Sequence, residues 1–180
     1  MSRPLWESLW ENYQRERRKV IDKVAFEVLL QIFPAILVAQ ADGFTDTSEV
    51  QRLEEVVQFL CRERPEVLSA LDWRAEIRYL SVDTDFWRRP FLEALRAYLA
   101  HAPEKYFQQA EFLYATAAAS TGDILKNILV RSGRLSDDIQ RELISERERA
   151  EIERLSEELG FEAYPEAASY LRRLISAPHG

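Results

Sequence analysis

At 180 residues and 21.1 kDa, with 47% hydrophobic residues, the chain has the size of one domain and enough apolar surface to bury a continuous core. Its formal charge of −7 and pI near 5.1 argue against a broad phosphate-binding surface, so nucleic acid is not expected as a partner. The single cysteine, Cys61, rules out an intrachain disulfide and a cysteine-built zinc centre, in keeping with a reducing cytoplasm.

From Leu5 the residues Trp6, Trp10, Tyr13, Val20, Val24 and Val28 recur at helical spacing, with one interruption at Arg17. This predicts one long amphipathic helix over residues 1–32, with Trp6 and Trp10 as a lid over the core. The basic groups Arg15, Arg17, Arg18 and Lys19, like Arg88 and Arg89 further on, read as solvated helix faces. Pro34 lacks an amide donor and is expected to stop or kink the helix near Phe33. A short, almost wholly apolar helix then runs to Ala41 as the centre of the core. The run Phe33 to Ala39 is far short of the roughly 20 residues needed to span a bilayer, so no transmembrane segment is expected. Met-Ser-Arg-Pro at the start offers no apolar signal core and no acylation glycine.

Gly43 suits the left-handed position after that apolar helix, and Asp46-x-x-Glu49 has the form of a capping box. The helix that follows buries Val50, Leu53, Val56, Val57 and Leu60 and ends before Pro65, with Cys61 as a partly buried residue at its end. Residues 66–85 read as helix, because no partner strand is legible elsewhere. Asp83, Thr84 and Asp85 form an acidic loop ahead of a helix with Pro90 in its first turn, and His101 stands at that helix's end. A further helix covers Glu104 to Ala119. Short helices follow around Ile124 to Leu129 and after Ser136, with Gly122 and Gly133 as punctuation. A charged, capped helix then ends at Gly160-Phe161 in a Schellman turn, and a last helix runs from Pro165 to Ile175. The fold class is therefore all-α, a single bundle of about seven to nine helices.

Aligning Asp46-x-x-Glu49 with Ser145-x-x-Glu148 also aligns Leu53 with Ile152, Val56 with Leu155 and Leu60 with Leu159, which suggests two related helical halves. Asp42, Asp46 and Glu49 set three carboxylates around one turn, and hard cations such as Ca²⁺ or Mg²⁺ take oxygen ligands. Capping accounts for Asp46 and Glu49 without a metal and leaves Asp42 alone with no structural duty. Catalysis has little support: His101 and His179 are the two histidines, and neither a phosphate loop nor a nucleophile elbow appears.

Ala41-Asp42-Gly43 with Asp46 and Glu49 after an apolar helix resembles the signature of the tellurite-resistance TerB-like family. Ala119-Ser120-Thr121-Gly122-Asp123, followed by the acidic helix ending Leu159-Gly160-Phe161, is similar to that family's second half. The resemblance covers residues 33–160, leaving residues 161–180 as a C-terminal helix and tail. It implies a cytoplasmic, non-enzymatic stress-response module that binds a divalent cation at Asp42, Asp46 and Glu49 and works within larger, sometimes membrane-associated, assemblies. The expected partner is another protein, or a second copy through Trp6 and Trp10. The rival reading is a metal-dependent hydrolase that adds Asp83 or Asp85 to those acids.

Overall fold

The computed structural model describes residues 2–41, 47–118 and 145–175. In chain order these form α1 (Leu5–Arg17), α2 (Lys23–Gln40), α3 (Thr47–Leu60), α4 (Pro65–Leu68), α5 (Trp73–Val82), α6 (Thr84–Ala100) and α7 (Lys105–Ala118). After the undescribed stretch come α8 (Glu146–Leu159), a 3-10 turn (Phe161–Ala163) and α9 (Pro165–Ile175). The protein is an all-α bundle, with no strand among the described residues. The expected helix over 124–129, the Ser136 cap and the motif Ala119–Asp123 lie outside them.

The expected long first helix is two helices. Arg18 adopts a left-handed conformation (φ 55°) that ends α1, with its amide donating to the Arg15 carbonyl and the Lys19 amide to that of Gln14. A new helix starts when the Asp22 carboxylate accepts from the Ala25 amide at 2.9 Å. The Trp10 indole N–H donates to the Ile21 carbonyl at 2.8 Å, and the Gln14 side chain accepts from the Ile21 amide at 2.9 Å, so α1 folds back against the start of α2. Trp6 and Trp10 are half-buried against the core as the lid reading expects.

Nor does Pro34 end a helix. α2 runs through it to Gln40, across the division at residue 33. The missing hydrogen bond and ring clash cost about 3 kcal/mol. Each large apolar side chain removed from water returns roughly 1.5–3 kcal/mol, and Phe26, Leu29, Leu30, Ile32, Phe33, Ile36 and Val38 are all buried on this one helix. Continuation wins because α2 packs against α1, α3, α4, α5, α6, α7 and α8. By length and composition α2 could also cross a membrane, yet 72% of it is buried inside the bundle, as befits a core helix.

The expected acidic loop before α6 shrinks to one junction residue. Asp83 alone separates α5 from α6, Thr84 and Asp85 are already helical, and Pro90 sits in the helix interior rather than its first turn. The segment 66–85 is helical as expected, apart from residues 69–72 between α4 and α5 and the junction at Asp83. The second cap also forms as read from the sequence: Ser145 Oγ accepts from the Glu148 amide at 3.1 Å while Glu148 accepts from the Ser145 amide at 3.2 Å. Gly160 (φ 76°) closes α8, its amide donating to the carbonyls of Glu157 and Ser156. Leu53 and Val56 of α3, and Ile152, Leu155 and Leu159 of α8, are buried, and both helices pack on α2.

Candidate functional site

Asp42 and Asp46 lie outside the described residues, as does the side chain of Glu49. What is described is the frame on either side, with α2 ending at Gln40 and α3 beginning at Thr47. The Gln40 side chain donates from Nε2 to the Ser81 carbonyl at 2.6 Å, tying the end of α2 to the end of α5. Asp83 and Asp85 are exposed near that same end of α5. Among the described residues, no group of three His, Cys, Asp or Glu side chains converges in a way that would hold a metal.

The charged side chains that do converge include Arg17 and Lys19, which the sequence reading set on a solvated helix face. Glu76 of α5 is fully buried. Arg17 Nε donates to its two oxygens at 2.9 and 3.1 Å, Arg17 Nη2 donates to Oε2, and Lys19 Nζ stands 3.0 Å from Oε2. The Tyr13 hydroxyl donates to Oε1 at 3.1 Å. Burial would raise the Glu76 carboxyl, but the hydrogen bonds and charges of Arg17 and Lys19 outweigh it and hold the group below its ordinary value. Tyr13 is pushed well above the usual phenol range, by burial first and then by the Glu76 charge. Its ring contacts Phe26, Tyr79, Trp87 and Phe91 at centroid distances of 5.4–6.0 Å, and the Arg17 guanidinium lies 4.1 Å over the Tyr79 ring. With the buried carboxylate bonded to Tyr13, Arg17 and Lys19, the cluster fastens α1 and the turn after it to α5.

The signal for this cluster was present in the sequence. Arg17 follows Tyr13 by four residues, so it occupies the buried face of α1, where an arginine needs a partner. The partner itself, 59 residues on, had no local mark. Arg88 is a second correction to the solvated-face reading: with its side chain 16% exposed, it bridges Glu151 at 2.7 Å and Glu158 at 3.0 Å, joining α6 to α8. Arg89 behaves as expected, at 88% exposure in a surface pair with Glu93. Cys61 is buried, and burial raises its thiol. His101 stands exposed at the C-terminal cap of α6.

Open clefts lie between helices. One, between α8 and α9, is lined by Glu153, Glu157, Glu162 and Arg172. Another, of about 550 Å³, lies where the starts of α7 and α9 meet the 3-10 turn. Tyr106 and Tyr164 stack there at 3.8 Å with planes 22° apart. The Tyr106 hydroxyl donates to the Leu159 carbonyl at 2.7 Å, and burial followed by the nearby Tyr164 pushes its pKa up to about 12. Phe107, 41% exposed, leans on Tyr170 at 4.6 Å.

Compared with protein-family models, with curated proteins and with solved structures, the chain matches none.

Proposed function

We propose that the protein is a non-enzymatic helical interaction module of TerB-like type, working in a cytoplasmic stress response and binding a divalent cation, Ca²⁺ or Mg²⁺, at Asp42, Asp46 and Glu49. The observation that carries this reading is the position of α2. The apolar helix that precedes the acidic segment in sequence is the one packed against seven others, so a ligand at its end would act on the helix that organises the core. The donor set also fits: three carboxylates are hard oxygen ligands of the kind these cations take. The inner charges, at Glu76 and Arg88, support a binding protein over a hydrolase, since each is spent on joining helices. Trp6 and Trp10 are engaged with the core and with Lys23, so the protein partner is assigned to another surface.

The test is thermal unfolding of the metal-stripped chain with Ca²⁺ or Mg²⁺, beside Asp42→Asn. A cation that binds only the folded state, at about 100 times its dissociation constant, adds roughly 2.7 kcal/mol. The expected result is an upward shift of the melting temperature in wild type that Asp42→Asn loses. No shift with either cation removes the cation site, and metal-dependent turnover of phosphate esters would replace the module with the hydrolase.

A further inference from the structure

We propose that the cleft between the starts of α7 and α9 docks an extended segment of a partner protein that presents an arginine or lysine. This rests on reading the chain as an interaction module, and it uses a surface distinct in sequence from the acidic turn. The floor is built in advance. Tyr164 lies flat on Tyr106, which is fixed by its hydrogen bond to the Leu159 carbonyl and by the edge-on ring of Phe161 at 5.2 Å. Pro103 and Pro165 stand on the rim, and Phe107 offers a part-exposed ring. Prolines carry no amide donor, so this rim suits side-chain recognition of an extended peptide over addition of a strand.

Charge selects the occupant. Glu104 and Glu166 line the cleft, both are exposed, and neither forms an ion pair among the described residues. The nearby cations are not part of its lining: Lys105 donates to the Tyr98 hydroxyl at 3.0 Å, Arg173 lies over the Tyr170 ring, and the Arg96 guanidinium stands beside Gly160. Two helices begin at the cleft, each contributing about half a positive charge, which would favour an anion. Glu104 and Glu166 are the charged side chains that line the cleft itself, two full charges against those two halves, so the lining favours a cation. Tyrosine faces reinforce that choice, since a guanidinium or ammonium is attracted to the ring and its apolar stem to the ring's surface. A space of this size accepts one or two side chains rather than a folded domain.

The experiment is an NMR titration of the isotope-labelled full chain with the capped tetrapeptide Pro-Leu-Arg-Pro, its glutamine counterpart Pro-Leu-Gln-Pro, and inorganic phosphate. Expected are shifts confined to Phe107, Tyr164 and Glu166 with the arginine peptide, weakened by salt. Replacing the arginine by glutamine, or making Glu104→Gln with Glu166→Gln, should weaken binding about fivefold to tenfold, the worth of two exposed ion pairs. Glu162→Gln, in the neighbouring cleft, should bind as wild type, and an unchanged melting temperature shows that each variant folds. Equal binding of both peptides, shifts outside the cleft, phosphate binding within it, or no shift with any probe would each overturn the proposal. None of these outcomes bears on the cation shift, so the two readings fail separately.

Discussion

Arg17 grips both oxygens of the buried Glu76 carboxylate, Nε at 2.9 and 3.1 Å, across 59 residues of chain. An arginine that interrupts the apolar period of α1 and a glutamate within α5 together fasten the first helix to the bundle, with Lys19 and Tyr13 completing the carboxylate's shell. A pair of this kind adds little over a well-packed apolar substitute, yet removing one partner leaves the other stranded.

Arg17→Met is therefore expected to destabilise the protein by about 3 kcal/mol, because Glu76 stays buried with Lys19 as its one remaining cation. Replacing both members, Arg17→Met with Glu76→Leu, should recover much of that loss. Urea unfolding of the two single variants and the double one measures the coupling. A double variant as unstable as the sum of the singles would show that the two residues act independently.

The same cluster sets an acid limit. The folded-state pKa of Glu76 is lowered from 4.5, so the unfolded chain binds the proton more readily. The stability it contributes is present above the ordinary value and is lost as the pH falls through the lower folded value. Urea midpoints from neutral pH down through this range should show wild type converging on Glu76→Gln as the medium becomes acid. A gap that stays constant with pH would disprove the linkage. Tyr13 acts at the opposite end: its raised value keeps the phenol neutral in the fold, a contribution present below its ordinary 10 and lost in stronger base.

Two left-handed positions should respond oppositely to substitution. Arg18 (φ 55°) ends α1 in a conformation that costs an L side chain about 1–2 kcal/mol, so Arg18→Gly should stabilise by about 0.5–1 kcal/mol after the extra freedom of unfolded glycine is counted. At Gly160 (φ 76°) an added Cβ would stand 3.1 Å from Arg96 Nε as well as meeting the backbone cost. Gly160→Ala should therefore destabilise by about 1–2 kcal/mol, with the Arg96 side chain swinging aside. Thermal melts of both variants test the pair of signs.

Cys61 is 1% exposed, and burial disfavours its thiolate. In the folded protein it should react with an aromatic disulfide reagent far more slowly than in urea, since the thiolate is the attacking species. Equal rates in the two conditions would mean that the end of α3 opens readily.

The sequence by itself determined what local spacing can encode. A period near 3.6 marked the helical stretches, Ser145-x-x-Glu148 and Gly160 marked the two ends of α8, Pro65 marked the end of the helix before it, and Pro165 marked the start of α9. All of these depend on atoms within a turn or two of the residue concerned. Tertiary structure alone decided that Pro34 stays inside a helix, that Arg17, Lys19 and Arg88 serve buried or part-buried bridges, and that Tyr106 and Tyr164 form the floor of a cleft. The physical reason is one of competing magnitudes. A proline's local penalty or a charge's desolvation is legible from the residue, but the packing or ion pairing that outweighs it comes from partners dozens of residues away.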